Sequence, residues 1–280
     1  MHYLFLSIIC SSAVLVIFRL TSDRGINTNH SIVVSYAASA GAATLLLPVK
    51  LDTLLSVWLA VAALQGIAFY WIFQLMARSA SESGVAFTSV ASKMSVVIPV
   101  SIGFLFLGES TNATILIGVL CGFLSVLMSV SGAATPASWR WPVLVFIGSG
   151  LIDASFKLFQ VWGLASTEFP GFITSIFFCA FLAGIAHHFF IRQSPFSLAS
   201  AAAGIPLGIA NLGTVYFLLS ALAIPEFDSA FVYALNSFGI VSLSTIAGLV
   251  LFREHLSTKG WLALLLAVIS IGLLYLGWVE

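Results

Sequence analysis

The stretch 104-FLFLGESTNATILIGVLCGFLSVLM-128, shifted by 145 residues, lies without a gap over 249-LVLFREHLSTKGWLALLLAVISIGL-273. In both copies an apolar run closes on a glutamate, Glu109 in one and Glu254 in the other. A short polar break follows, and a second apolar run begins. Upstream, Ser83-Gly84 meets Asp228-Ser229, each pair just ahead of a long apolar run. Identities between the copies are few. What repeats is the segmentation, so one half of the chain is built on the plan of the other.

The solvent for these runs follows from composition. The chain of 280 residues is 60% hydrophobic and 7% charged, with a mean hydropathy of +1.13. Globular chains average roughly a quarter charged residues, and a soluble domain this poor in charge could not cover its surface. Apolar runs of membrane-crossing length recur throughout, which makes a lipid bilayer the expected solvent. A formal net charge of zero with no basic block excludes nucleic acid as a partner. Cys10, Cys121 and Cys179 each stand alone in an apolar run and read as small buried hydrophobes. The first run, 3-YLFLSIICSSAVLVIF-18, lacks a basic leader and a clear cleavage site, so it is expected to stay as a span.

Polar or Pro/Gly-marked breaks cut the chain into ten helical spans, at about 3–20, 31–48, 54–77, 85–107, 113–131, 141–162, 171–191, 199–222, 229–252 and 260–278. The expected fold is therefore all-α and integral to the membrane, with two five-helix repeats, 1–135 and 136–280. Each repeat holds an odd number of spans, so the two insert with opposite orientation. Many secondary transporters share that inverted plan, with their sites near the midplane between the repeats.

Ionisable residues inside spans are rare and are site candidates by default. Three occur here: Lys93 in the fourth span, and Asp153 and Lys157 in the sixth. On the fourth span Thr88, Ser92, Ser95 and Pro99 form one stripe, with Ser89 and Lys93 on its flank. On the sixth span Ser149, Asp153 and Gln160 form another, flanked by Phe156 and Lys157. Asp153 and Lys157 are four apart and able to pair within the helix. Counting inward from the loops puts Lys93 and Asp153 within roughly 6–8 Å in depth, so a pair between those two is the other option. Further polar and aromatic candidates are Trp58, Gln65 and Phe69 on the third span, Asn211 on the eighth, and Tyr233 and Asn236 on the ninth. Singly, each amide or hydroxyl reads more often as a tie between helices than as a site residue; together they describe a pocket for a small amphipathic solute. Pro99 and Pro206 are hinge candidates, or static kinks. The small-xxx-small spacings Ala37/Gly41, Gly118/Gly122 and Gly204/Gly208 predict close-packed seams. Glu109 and Glu254, beyond helix C-termini, are expected to reach a neighbouring helix end or loop rather than join a site.

The segments 83-SGVAFTSVASKMSVVIPV-100, 104-FLFLGES-110 and 229-SAFVYALNSFGIVSLSTIAGLVLFREHLS-257, with ten short spans in two halves, resemble the drug/metabolite transporter superfamily in its EamA-type branch. The resemblance covers essentially the whole chain and implies a permease or exporter of a small organic metabolite, with both termini in the cytoplasm. Two departures stand out: Ser244 occupies the place of Pro99 in the ninth span, and Phe238 the place of Lys93. Loop charge argues the opposite orientation. Seven basic residues (Arg19, Arg24, Arg78, Arg140, Arg192, Arg253 and Lys259) follow or precede spans on one side, against Lys50 on the other, which places the termini outside.

The functional expectation is a secondary transporter of a small organic metabolite such as an amino acid or amphipathic compound, working by alternating access around a central cavity between the repeats, as a monomer or a homodimer among membrane lipids. The alternative is a channel or a structural membrane protein. No Walker motif, HExxH or nucleophile–base pair is present, so neither ATP use, an enzyme, a metal nor a cofactor is expected.

Overall fold

The computed structural model describes residues 2–47, 58–106, 112–131, 139–163, 168–190, 197–222, 224 and 229–279. Within them the chain is α-helical: α1 His2–Asp23, α2 Thr28–Leu46, α3 Trp58–Glu82, α4 Val85–Met94, α5 Val97–Phe106, α6 Ala113–Ser131, α7 Arg140–Val161, α8 Phe169–Phe190, α9 Leu198–Leu222, α10 Ser229–Leu251 and α11 Thr258–Val279. Six stretches are long and apolar enough to cross a membrane: His2–Asp23, Trp58–Glu82, Val85–Gly103, Phe169–Phe190, Leu198–Leu218 and Thr258–Gly277. This is the build of a multi-pass membrane protein. Large apolar side chains such as Leu64, Leu120, Leu151 and Ile209 are more than half exposed on the outside of the bundle, where a soluble protein would place polar ones.

Two expected boundaries moved. The third span continues past Arg78 to Glu82. Arg19 on α1 donates through Nη1 to the carbonyls of Ala80 and Ser81, at 3.2 and 2.5 Å, which satisfies carbonyls that the last turn of a helix leaves open. The fourth span is interrupted at Ser95-Val96 and becomes α4 and α5. Pro99 explains the break. A residue there would donate its N–H to the carbonyl of Ser95, four positions back; proline has no N–H, and its ring crowds that carbonyl. The Ser95 carbonyl instead accepts from Ile98 N at 2.9 Å, a tighter i+3 turn. By contrast α9 runs through Pro206 without interruption.

The helices pack in definite pairs. α2 lies on α9 and α8; α3 on α8 and α7; α1 on α9, α10 and α3; α4 and α5 on α7 and α6; α4 also on α10; and α6 on α11. Glycine sets two of these seams. A Cβ at Gly204 or Gly208 would stand 2.6 Å from Val34 Cβ or 2.3 Å from the Ser35 carbonyl oxygen, so α2 and α9 touch backbone to backbone. Ser39 Oγ donates across the same seam to Gly208 O at 2.9 Å. Gly118 and Gly122 seat Leu274 and Ser270 of α11 in the same way. The expected Ala37/Gly41 seam is not one. Ala37 is exposed, and a Cβ on Gly41 would meet nothing within 4 Å, because this face of α2 turns away from the neighbours that its Ser35 and Ser39 side packs on.

Hydrogen bonds gather one set of helix ends. Arg19 joins the end of α1 to that of α3; Trp141 Nε1 at the start of α7 donates to Glu82; Ser200 Oγ at the start of α9 donates to Asn27 O before α2; and Glu254 after α10 meets the start of α4. Arg19, Arg24, Arg78, Arg140, Arg253 and Lys259 all belong to this end. It is called the basic end below.

Candidate functional site

The break in the fourth span is where the polar groups meet. Lys93 occupies the last turn of α4 and is half-buried. Ser95 follows at the break and is fully buried. Its hydroxyl lies 2.6 Å from the carbonyl of Ser92 and 3.2 Å from Asp153 Oδ2 on α7. One hydroxyl hydrogen serves both acceptors, and the shorter contact takes most of it.

Asp153 is solvent-exposed although its helix packs on α3, α4, α5 and α6. The direction of that exposure follows from helix geometry. Leu144, Ile147 and Leu151 are the exposed, lipid-type face of α7. Asp153 is two residues past Leu151, about 200° around the helix. It therefore opens into a crevice inside the bundle. Between Asp153 and the basic end, Val90, Ala91, Met94, Val145, Phe146 and Val241 pack into a buried apolar cluster. Lys93 and Asp153 interact electrostatically across the crevice. They do not form a salt bridge within 4.0 Å; among the described residues that distance is met by Arg19–Asp23. Two opposite charges thus face a common crevice without being closed on each other. Depth counting from the sequence had allowed this pairing. The competing partner, Lys157, has a side chain outside the described residues, as do Gln160 and Tyr233.

Ser92, next to Lys93 in the chain, is half-buried, and its carbonyl accepts from Ser95 Oγ. Ser89, one turn deeper toward the basic end, is fully buried, and its Oγ has no hydrogen-bond partner among the described residues. Glycines let the walls close in: a Cβ at Gly150 would stand 2.3 Å from Ile98 of α5, and one at Gly148 would stand 1.9 Å from Ile72 of α3.

The other candidates fall into different places. Gln65 on α3 donates to Ser155 Oγ at 2.6 Å and to the Ile152 carbonyl at 3.4 Å, on another face of α7. It acts as a tie between α3 and α7. Trp58 and Phe69 join Phe156, Phe159 and Phe172 in an aromatic cluster of α3, α7 and α8, with ring centroids 5.9–6.3 Å apart. Such offset and edge-to-face pairs are each worth about 0.5–1.5 kcal/mol beyond burial. Asn211 and Asn236 sit on α9 and α10, buried and away from Asp153's helix. The structure therefore brings Lys93 near Asp153, adds Ser95 and the Ser92 carbonyl, and leaves the two asparagines apart. Ser95 was visible in the sequence as part of the polar stripe; its link to Asp153 spans 58 positions and has no local signal.

The glutamate expectation holds for Glu254. Its carboxylate accepts from Val85 N at 2.6 Å and Ala86 N at 3.3 Å, capping the first turn of α4. Gly84, at φ +106°, and Gly248 leave room for it: a Cβ on either would stand 2.9 or 2.5 Å from Glu254 Oε2. Glu109 lies outside the described residues.

Pro99→Ala restores the donor missing at the break. The fourth span should then straighten, Tm should hold or rise, and the Ser95 hydroxyl should leave Asp153. Thermal unfolding checks both halves: Ser95→Ala should lower Tm in the wild-type background and leave it unchanged in Pro99→Ala.

No family model matches the chain. An uncharacterized protein of Haemophilus influenzae is 24% identical over 98% of this chain and 98% of its own length. A solved crystal structure aligns with 98% of this chain and 96% of its own at a TM-score of 0.59 and 20% identity. That likeness extends to the fold of the whole chain.

Proposed function

We propose that this protein is a secondary transporter of a small organic metabolite, with ten spans in two inverted five-helix repeats and the Lys93–Asp153 crevice as its solute site. The crevice carries the reading. A cation and a carboxylate held deep in an apolar bundle, open to solvent and not closed on each other, stay costly unless something polar engages them.

The packing supports the inverted repeat. Exchanging each span for the one five places away turns α2–α9 into α8–α3, α1–α9 into α7–α3, α1–α10 into α7–α4, and α10–α11 into the packing of α4 and α5 on α6; all of these pairs are in contact. α4 starts at the basic end and its counterpart α10 finishes there. Against that symmetry the site is asymmetric: 145 residues away, Asp153 corresponds to Ile8, Lys93 to Phe238 and Ser95 to Ile240. Charge at one of two equivalent places belongs to what is bound rather than to the architecture. The substrate class this favours is an amino acid or amphipathic compound, and a cell or inner membrane is the proposed location.

A thermal-shift screen of purified protein against amino acids, nucleosides, sugars and amphipathic cations, followed by uptake into proteoliposomes, tests the reading. Saturable, competable uptake of a hit is the expected result. Linear uptake identifies a channel, and failure of every solute to bind or move removes the transporter reading.

A further inference from the structure

A second cavity lies at the basic end, among α1, α2 and α3. It measures about 270 Å3 and is lined by Ser22 at the end of α1, Asn27, Thr28 and Asn29 at the start of α2, and Gln74 and Arg78 of α3. Among its described lining residues Arg78 is ionised and none is a carboxylate. The acids closest in the chain are engaged elsewhere: Asp23 pairs with Arg19 at 3.0 Å, and Glu82 accepts from Trp141 Nε1. Arg78 makes no ion pair among the described residues. Its guanidinium lies over the Trp141 ring, 5.2 Å from the centroid. That stacking fixes its plane and leaves the N–H groups at its edge for an acceptor.

α2 supplies further donors. The first N–H groups of a helix have no acceptor within it. Asn27 Oδ1 takes that of His30 at 3.3 Å, while those of Thr28 and Asn29 have no partner among the described residues. No acidic residue in the first turn offsets the positive end of this helix. Gln74 marks the site independently. It is 7% exposed. One end of its amide is held by Tyr70 OH at 3.0 Å, and Tyr70 OH lies 2.7 Å from His187 Nδ1. The other end opens on the cavity and has no partner among the described residues. A buried amide left half-satisfied costs stability unless something in the cavity completes it.

We infer that this cavity binds a phosphate group, carried by an anionic lipid headgroup or by a small soluble phosphate. The guanidinium fork, two helix N–H groups, the Ser22 hydroxyl and the Gln74 amide offer more donors than the two oxygens of a carboxylate use, and a tetrahedral phosphate has the oxygens to take them. A phenol hydroxyl holds either end of an amide, so Gln74 presents its NH2 to an anion by turning over in place. At about 30 Å3 per water the cavity has the room of roughly nine waters, enough for a phosphate and the first carbons of an ester. Its depth also fits. The 25 residues of α3 extend roughly 37 Å, more than the ~30 Å of hydrocarbon, so its last turn, with Arg78, stands in the headgroup layer. Basic pockets between spans at that level seat anionic headgroups. A phosphate held here joins α2 to α3, as Arg19 joins α1 to α3. The crevice of Lys93 and Asp153 lies between other helices, α4 and α7, so the inference goes beyond the transporter reading and stands without it.

Thermal unfolding of the full chain in maltoside micelles, which carry no phosphate, tests the inference. The probes are phosphatidylglycerol, inorganic phosphate and glycerol phosphate, with phosphatidylcholine, whose quaternary ammonium opposes Arg78, as the lipid control. A saturable rise in Tm with phosphatidylglycerol alone assigns the site to lipid. A rise with inorganic phosphate or glycerol phosphate assigns it to a soluble ligand. With either source, Arg78→Gln should raise the half-saturating concentration about tenfold or more, through lost charge-assisted bonds. Lys259→Gln, which removes an exposed cation at the same end but outside the cavity, should leave it unchanged. Asn29→Leu fills the cavity and keeps Arg78; it should weaken binding to a similar degree, and it carries the test if Arg78→Gln does not fold. No rise with any probe overturns the inference. So do an equal rise with phosphatidylcholine, a half-saturation that both cavity variants leave in place, and an equal loss in Lys259→Gln, which would mean a general effect of surface charge.

Discussion

Lys93→Met and Asp153→Asn, made singly, should each abolish solute binding and also lower Tm, whereas the double variant should recover Tm and remain inactive. The two charges interact across the crevice between α4 and α7. Removing one leaves the other without its opposite charge; since Asp153 is exposed and the two are not closed on each other, the loss is about 0.5–1 kcal/mol. Removing both leaves two neutral side chains of similar size, which the apolar surroundings tolerate. Stability therefore behaves as a cycle with modest coupling, while on the proposed function binding does not recover, because the solute needs the charges themselves. Tm by thermal unfolding and affinity by titration separate the roles. Full recovery of binding in the double variant would make the pair structural. Ser95→Ala, which removes the hydroxyl near Asp153 Oδ2, should sit between wild type and the single variants.

Gly208→Ala should produce the largest loss of stability among conservative glycine changes. The new Cβ would stand 2.3 Å from the Ser35 carbonyl oxygen and 2.8 Å from Ala38 Cβ. Backbone cannot swing aside as a side chain can, so α2 and α9 must move apart, and the Ser39 bond to Gly208 O lengthens with them. Overpacking costs about 1–3 kcal/mol, and the better helix propensity of alanine returns up to about 1 kcal/mol. Gly41→Ala is the matched contrast. It lies on the other seam expected from the sequence, but nothing stands within 4 Å of its Cβ. It should leave Tm unchanged or raise it. Parallel melting curves of the two variants decide the matter, and equal Tm values would contradict the packing described.

That contrast marks what was legible in the sequence. Helix limits were, because polar breaks mark the ends of apolar runs: among the described residues each of the ten apolar ranges holds helix, six stretches being long and apolar enough to cross a membrane, with ends shifted by a few residues where a distant group such as Arg19 satisfies a terminal carbonyl. Small-residue spacing identified Gly204/Gly208 and Gly118/Gly122, and failed at Ala37/Gly41, because the spacing says that a face is smooth, not that a neighbour lies on it. Pro99 announced a disturbed helix; that the break begins four residues earlier, at Ser95, follows from the donor it lacks. The capping role of Glu254 was readable in kind, since a carboxylate gains nothing at a helix C-terminus. Its partner, Val85, is 169 positions away and could not be. Lys93 and Asp153 were found as rare charges and matched by depth. Trp58, Gln65 and Phe69 were sound as polar and aromatic candidates, yet Gln65 serves as a tie and the rings as packing, because one-dimensional spacing does not say which face of α7 a neighbour meets.

The central claim is that a solute crosses the membrane by way of the Lys93–Asp153 crevice. Entrance counterflow of a solute identified by binding, in proteoliposomes carrying either the wild-type chain or the Lys93→Met/Asp153→Asn double variant, tests it most directly. The expected result is a transient overshoot of labelled solute with the wild-type protein and none with the equally stable double variant. An overshoot that survives in the double variant would contradict the account.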